Sequence, residues 1–105
     1  MSHASTFVVV WEFLVRAGRE ARFEEVYGPH GAWVELFRKS PAFIRTDLQR
    51  DLSQRNRYWT LDVWISEGAY NEFRVAHRED YQRIDAECEQ LTDAERELGR
   101  FAGIG

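Results

Sequence analysis

Apolar residues occupy nearly every position near the start of the chain, which is the first structural signal in the sequence. Residues 6–16, TFVVVWEFLVR, are rich in β-branched and aromatic side chains and predict a strand. No polar side chain interrupts either face of this strand before Glu12 and Arg16, so we expect both faces to be covered. Gly18 marks its end.

From Arg19 onward, apolar residues recur at the three- and four-residue spacing of a helix. Gly28-Pro29 interrupts this stripe, because proline lacks the amide donor that a helix interior needs, and the stripe then resumes. Its members are Phe23, Val26, Tyr27, Trp33, Leu36 and Phe37. The segment closes at Ser40-Pro41 and is therefore either one kinked helix or two short helices.

Two segments with alternating polarity follow, separated by a short polar loop. Residues 43–52, FIRTDLQRDL, and residues 57–65, RYWTLDVWI, predict two strands, and residues 53–56 are short enough to join them as a hairpin. In the second of these strands one face is apolar and the other is mixed aromatic and polar. The apolar row is Trp59, Leu61, Val63 and Ile65, and the mixed row is Tyr58, Thr60, Asp62 and Trp64.

Ser66 begins the longest helical pattern, because serine is a good helix cap and Glu67 lies in the first turn, where the helix dipole favours a carboxylate. The apolar seam that follows predicts a single helix of about seven turns. Its members are Tyr70, Phe73, His77, Tyr81, Ile84, Cys88 and Leu91. Residues 92–95, TDAE, have the form of a capping box and predict one more helical turn, and residues 96–104 predict a last short strand.

The predicted order is strand, helix, strand, strand, helix, strand, which suits an α+β sandwich with helices on one face of an antiparallel sheet. The row from Trp59 to Ile65 would then form an apolar patch on the uncovered face. Contiguous apolar patches of this kind usually mark a partner surface. We therefore predict a homodimer in which the sheets of two copies face each other through Trp59, Leu61, Val63 and Ile65.

Composition and charge narrow the class of protein without naming its function. The 105 residues suit a single domain spanning 1–105, and 14 basic against 18 acidic side chains, interspersed in sequence, argue against nucleic acid as a partner. The longest uncharged run, Met1 to Trp11, is shorter than a membrane span and lacks the charged start of a signal peptide, so we expect a cytoplasmic protein and no membrane partner. Cys88 is the only cysteine and cannot form an internal disulfide.

The mixed row of the hairpin strand is the strongest candidate for chemistry. If the apolar row faces a second subunit, the mixed row faces the helices and meets Tyr70, Phe73 and His77. The result is a space lined by aromatic rings, with Asp62, Thr60 and His77 as polar points, which is the usual composition of a small-molecule pocket. The alternative is a filled core in which Tyr58 and Asp62 satisfy each other's hydrogen bonds.

These segments resemble the antibiotic biosynthesis monooxygenase-like family over nearly the whole chain. The resemblance rests on the element order, on VYGPHGAW and RYWTLDVWISEGAY, and on CEQLTDAERELGRF near the end. It implies ferredoxin-like subunits (βαββαβ) that pair as a dimeric α+β barrel. Better-understood members oxidise aromatic polyketides with molecular oxygen and use no metal or flavin.

The same resemblance implies roles for individual residues. Trp64 and Tyr70 match, in type and spacing, a pair that helps form the pocket between helices and sheet, whereas Thr60 stands where the family pattern has Asn. A planar aromatic or quinone-like ligand would then be held by Trp64, Trp33 and Tyr70, with Tyr58, Thr60 and Phe73 beside it. Asp62, His77 and Tyr70 are the candidate catalytic residues, and the family comparison implies no cofactor.

Several alternatives stay open at the level of sequence. His77 is either a general base, a core histidine bonded to Asp62 or a backbone carbonyl, or an axial haem ligand, since haem-degrading relatives carry a histidine on this helix. His30 either closes the pocket or lies in a solvated turn. His77 with Asp80 or Tyr81 matches no established zinc pattern, so we expect no metal site. The whole protein is a cofactor-independent monooxygenase, a non-catalytic binding or stress-associated barrel, or, third, a haem-binding protein.

Overall fold

A four-stranded antiparallel sheet forms one layer of the computed structural model, which describes residues 5–104. The strands are β1 (Phe7–Val15), β2 (Phe43–Arg50), β3 (Arg57–Trp64) and β4 (Thr92–Ala102). They lie in the order β2-β3-β1-β4, so the predicted hairpin of β2 and β3 is formed and β1 is central. This is the ferredoxin-like α+β fold that the sequence predicts.

Helices form the second layer and cover one face of the sheet. They are α1 (Glu20–Tyr27), α2 (Ala32–Phe37), α3 (Glu67–Ala76) and α4 (Arg78–Cys88), followed by a short 3₁₀ turn at Glu89–Leu91. The break at Gly28-Pro29 therefore separates two helices rather than kinking one. Between residues 5 and 104, none of the helices has both the length and the apolar character needed to span a bilayer.

The predicted single helix after Ser66 is wrong, because the chain leaves helical geometry at His77. The backbone angles there, φ −115° and ψ 31°, end α3 and begin α4. Phe73, His77 and Tyr81 are each four residues apart, so the apolar seam continues across the break and conceals it in the sequence. The start of α3 is as predicted, since the Ser66 hydroxyl accepts a hydrogen bond from the Ala69 amide at 3.1 Å.

The predicted helical turn over residues 92–95 is also wrong, and the last strand is longer than predicted. Thr92 has extended backbone angles, and β4 begins there and pairs with β1 from Val15 back to Phe7. Without β4, the central strand β1 would have an unpaired edge of amide and carbonyl groups. The pairing of β4 along the whole length of β1 therefore stabilises residues 92–95 as a strand more than the local capping pattern stabilises them as a helical turn.

The face of the sheet that contacts the helices, here called the inner face, carries the core. Alternate residues of β1 and β3 point into it, and the mixed row of β3 is buried as predicted. Its main members are Phe7, Val9, Phe13, Val15, Tyr58, Thr60, Asp62 and Trp64, packed against Phe23, Tyr27, Trp33, Phe37, Tyr70 and Phe73. The candidate site therefore lies between β3 and the helices.

The opposite face of the sheet, here called the open face, has no helix over it. It carries Val8, Val10, Leu61, Val63 and Phe101 as a patch, and Trp59 and Phe101 are 38% and 53% exposed. A charged cluster lies at one end of this patch. Its members are Glu12, Arg57, Asp51 and Arg96, with Arg57 bonded to Glu12 and Asp51, both at 2.8 Å.

Two glycines are required by the backbone. Gly18 has a φ of +85°, a left-handed conformation that turns the chain after β1. Gly31 begins α2 so close to the end of α1 that a Cβ atom there would lie 2.1 Å from the carbonyl oxygen of Val26. The angle between α1 and α2, which positions Trp33, thus depends on a residue without a side chain.

We expect Gly31→Ala to lower the free energy of unfolding by about 1–3 kcal/mol, because backbone must move to relieve the contact. Gly68→Ala is the matched control, since a Cβ at Gly68 meets nothing within 4 Å and should stabilise the helix by about 0.4–1 kcal/mol. Urea unfolding of the three proteins measures both effects. Equal stability of the two variants would contradict the proposed close approach.

Candidate functional site

An aromatic cavity lies between the inner face of the sheet and helices α2 and α4. Its free volume is about 40 Å³, and the cleft around it, counted out to solvent, holds about 430 Å³ of empty space. Its walls are Trp11, Phe13, Tyr27, Trp33, Phe37, Thr46, Thr60, Asp62, Tyr81, Asp85 and Glu95. A few polar groups among many rings is the composition expected of a small-molecule site.

Asp62 is the only one of the cavity's three carboxylates that is buried, with 8% of its surface exposed. It extends from the inner face of β3, and Thr46 of the neighbouring strand donates a hydrogen bond to its Oδ1 atom at 2.8 Å. Burial raises the pKa of Asp62 to about 7, and the Thr46 hydrogen bond lowers it only in part. Asp62 can therefore gain or lose a proton near neutral pH.

Two tyrosines and a tryptophan form much of the wall. The Trp33 ring meets Tyr81 edge-on at 4.8 Å between centroids and lies 6.1 Å from Tyr27. Burial raises the pKa of both tyrosines far above the usual range, so both hydroxyls stay neutral and can donate hydrogen bonds. The Trp33 Nε1 atom is buried near the Tyr27 hydroxyl and the Cys88 thiol, yet makes no hydrogen bond of acceptable geometry with either.

Arg74 supports this wall from outside the cavity. Its guanidinium lies 3.8 Å from the centroid of the Tyr81 ring and donates a hydrogen bond to the Tyr70 hydroxyl at 2.8 Å. A cation over an aromatic face is attracted by the ring's electron density. Arg74 thereby links Tyr81, which lines the cavity, to Tyr70, which does not.

Three of the residues predicted from sequence line the cavity, namely Asp62, Thr60 and Trp33. The predicted pair Trp64 and Tyr70, with Phe73, does not. Their rings pack directly, at 5.3 Å between Trp64 and Tyr70 and 5.0 Å between Trp64 and Phe73. Phe37 and Phe43 complete this cluster at 5.5 and 5.3 Å from Trp64, so the space predicted here is filled by side chains.

The remaining predicted residues lie elsewhere. The Tyr58 hydroxyl donates to Glu24 at 2.5 Å and not to Asp62, so the alternative in which Tyr58 and Asp62 bond to each other does not hold. His30 is exposed in the turn between α1 and α2 and does not line the cavity. His77 is half-buried at the junction of α3 and α4, with its ring 4.9 Å from Phe73.

The position of His77 corrects the expectation that it points into the site. Within residues 5–104 its side chain makes no hydrogen bond to Asp62 and is absent from the cavity wall. A haem does not fit this arrangement, because its axial histidine would have to face a cavity much larger than 40 Å³. Between those same residues, no three His, Cys, Asp or Glu side chains come together as metal ligands.

The sequence did not single out the other eight residues of the wall, which are Trp11, Phe13, Tyr27, Phe37, Thr46, Tyr81, Asp85 and Glu95. Tyr27 and Tyr81 were recognised as part of apolar seams, and their hydroxyls were the available signal of a polar opening. Asp85 lies four residues after Tyr81 and therefore on the same helix face. Glu95 could not be placed, because it was assigned to a helical turn and lies in β4.

Comparison with known proteins identifies the family of the chain. The model of the antibiotic biosynthesis monooxygenase family matches residues 6–86, which include β1 through most of α4. The chain belongs to this family. No curated protein matches the sequence.

Solved structures share the fold of this family member over almost its entire length. SnoaB from Streptomyces nogalater, a cofactor-independent oxygenase, is 22% identical with a TM-score of 0.77, over 97% of this chain and 96% of SnoaB. A conserved protein from Methanosarcina mazei is 14% identical with a TM-score of 0.76, over 96% and 95%. PA3566 from Pseudomonas aeruginosa is 14% identical with a TM-score of 0.73, over 99% and 100%.

The pKa of Asp62 predicts how stability depends on pH. Between pH 4 and 7 the folded protein keeps a proton that the unfolded chain has lost, so the free energy of unfolding falls as pH rises, by at most about 1.4 kcal/mol per pH unit. We expect Asp62→Asn to remove this fall and to exceed the wild type in stability at pH 8. Urea unfolding across this pH range tests it.

Asp93→Asn is the control for this measurement, because the Asp93 side chain is 64% exposed and pairs with Arg16 at 3.3 Å. This variant should retain the wild-type dependence of the free energy of unfolding on pH. A wild-type curve that is parallel to that of Asp62→Asn would mean that Asp62 titrates normally.

Proposed function

We propose that this protein is a cofactor-independent monooxygenase that oxidises an electron-rich aromatic or quinone-like compound. The observation that carries the proposal is Asp62, a buried carboxyl group on an aromatic cavity with a pKa of about 7. A general base is most effective when its pKa lies near the working pH. Membership of the monooxygenase family and the likeness in fold to SnoaB support the same reaction class.

The proposed reaction needs only a base and molecular oxygen. The substrate reacts as the phenolic tautomer of a ring ketone that contains a ring methylene. Asp62 accepts the phenolic proton, and the resulting ring anion donates an electron to oxygen. Recombination forms a carbon–oxygen bond at the former methylene carbon, and the peroxide takes the proton back from Asp62. The hydroperoxide then loses water to leave a carbonyl group. In sum, a ring methylene and one O₂ give a carbonyl and one H₂O, with four electrons passing from carbon to oxygen.

Trp33 and Tyr81 would hold the ring of the substrate, because both line the cavity beside Asp62. Drug-sized sites are usually about 300–1,000 Å³, so the two rings must separate for a substrate to enter from the surrounding cleft. Tyr81 belongs to α4, which starts at the break at His77, and is only partly buried. Trp64, Tyr70 and Phe73 then act as a packed support rather than as ligand contacts.

Proton transfer is assigned to Asp62 rather than to His77 or Tyr70. His77 does not line the cavity, and the Tyr70 hydroxyl already accepts a hydrogen bond from Arg74 at 2.8 Å. Thr60 offers one hydroxyl where the family pattern has an amide, and it can donate a single hydrogen bond to the substrate oxygen.

The second candidate function is a binding protein without catalysis. The small free volume of about 40 Å³ and the filled Trp64–Tyr70 cluster favour it. In that case the same wall would bind an aromatic ligand, and Asp62 would accept a hydrogen bond without taking the proton away. The two functions differ only in whether oxygen is consumed.

A homodimer formed through the open face belongs to this proposal. The face exposes Trp59, Ile65 and Phe101 in water, and an identical face would cover these side chains. Val8, Val10 and Leu61 surround them, so the patch continues across β1, β3 and β4. The cavity lies on the other side of the sheet and stays open to substrate.

Oxygen consumption with a panel of anthrones and hydroquinones tests the activity. We expect wild-type turnover to rise with pH through about 7, the pKa of Asp62. Asp62→Asn should lower the rate of turnover at least about 100-fold, which is the usual contribution of a positioned base. Trp64→Phe and Tyr70→Phe should lower the rate of turnover less than Asp62→Asn does, because neither residue lines the cavity.

Asp93→Asn serves again as the control, since it makes the same chemical change at an exposed position outside the cavity wall. It should retain full activity. Binding of these compounds without any oxygen uptake above background would exclude the monooxygenase and leave the binding protein.

Sedimentation equilibrium at micromolar concentration tests the dimer. Phe101→Asp puts a charge into the proposed interface and should shift the protein to monomer, whereas Val75→Asp, on α3 and 67% exposed, should leave the dimer intact. A wild type that sediments as a monomer would refute the proposed interface.

A further inference from the structure

The opening of the cavity toward solvent, here called the mouth, carries negative charges that have no role in the proposed reaction. Asp85 of α4 and Glu95 of β4 line it together, and both are more accessible than Asp62. Over the described part of the chain, neither carboxylate forms an ion pair or a side-chain hydrogen bond. Burial, followed by the charges of Asp85 and Glu89, raises the pKa of Glu95, which indicates that Asp85 lies close enough to repel it.

Nearby basic residues are engaged elsewhere and do not neutralise this pair. Arg16 pairs with Asp93 at 3.3 Å, and Arg96 pairs with Glu12 at 3.3 Å on the open face. Arg74 lies over the Tyr81 ring and donates to Tyr70, and it is not part of the cavity wall. The mouth is therefore negative at neutral pH.

One buried polar residue independently indicates that a ligand belongs behind this mouth. Asp62 is more than nine-tenths buried on the cavity wall, and in residues 5–104 its Oδ2 atom has no hydrogen-bond partner. Buried polar groups are normally hydrogen-bonded, so this oxygen is left for a ligand.

We propose that Asp85 and Glu95 select the substrate by charge: the cavity takes ring systems that are neutral, or carry an ammonium group, at the end facing the mouth, and rejects those with a carboxylate there. A ligand oriented in this way donates a hydrogen bond from its hydroxyl group to Asp62. Like charges at a partly desolvated mouth repel more strongly than in water. The inference rests on the site of the proposed function but concerns binding alone.

Calorimetric titration without oxygen tests this selection separately from turnover. The probes are three naphthols that carry an aminomethyl, a hydroxymethyl or a carboxylate group at the same ring position. For the wild type we expect the carboxylate to bind at least about tenfold more weakly than the neutral probe, and the ammonium to bind as tightly as the neutral probe or more tightly. Asp85→Asn with Glu95→Gln should reduce the difference between carboxylate and ammonium to about twofold.

Glu79→Gln is the matched control, because it removes one negative charge from an exposed position of α4 outside the cavity wall. It should leave the preference unchanged, and higher salt should weaken the preference of the wild type. Equal binding of carboxylate and ammonium probes, a preference that survives the double substitution, or no binding of any probe would overturn the proposal. Selective binding without oxygen consumption would instead support the selection and refute the monooxygenase.

Discussion

The burial of one carboxyl group on β3 is the constraint around which the site is organised. Asp62 lies between a sheet and a layer of aromatic side chains, where an ionised carboxylate loses most of its hydration. One hydrogen bond from Thr46 offsets only part of that loss, so the group holds its proton until the pH nears neutrality. In the proposed reaction, these surroundings would give the carboxyl group a pKa suited to a base near neutral pH.

The two sides of this carboxyl group differ in how firmly they are packed. On one side, Trp64 is fully buried and its ring touches Tyr70, Phe73 and Phe37, which gives a rigid support. On the other side, Tyr81 of α4 is only partly buried and is held by an edge-on contact with Trp33 and by the Arg74 guanidinium. Entry of the proposed ligand would disturb fewer buried contacts on the Tyr81 side than on the Trp64 side.

The sequence predicts the layers of this fold well and the position of the cavity less well. The alternation along β3 assigned Thr60, Asp62 and Trp64 to the helix-facing side, because side-chain direction in a strand has a strict period of two. It could not show which part of the aromatic layer is filled. Trp64 and Tyr70 pack against each other, and the gap lies beside Asp62 instead, since volume depends on how rings from four elements interlock.

The errors near the end of the chain have a common physical origin. The spacing that places Phe73 and Tyr81 on one seam is the same with or without a break at His77, so periodicity alone cannot locate it. Likewise, the capping pattern at Thr92 is local, whereas the free edge of β1 is a property of the assembled sheet. Glu95 was consequently placed in the wrong element, and the acidic mouth could be recognised only in three dimensions.

Side chains along β3 point alternately to the two faces of the sheet, and this alternation links the cavity, which Asp62 lines, to the open face. Leu61 and Val63 flank Asp62 in sequence and point to the opposite side, so a partner sheet packed on them would restrain the same stretch of β3 from behind. A base that must accept a proton from a bound ring works best when its backbone is fixed, because misplacement of the reacting groups lowers the rate. Pairing through the open face would thus stabilise the apolar patch and fix the position of the carboxyl group through one strand.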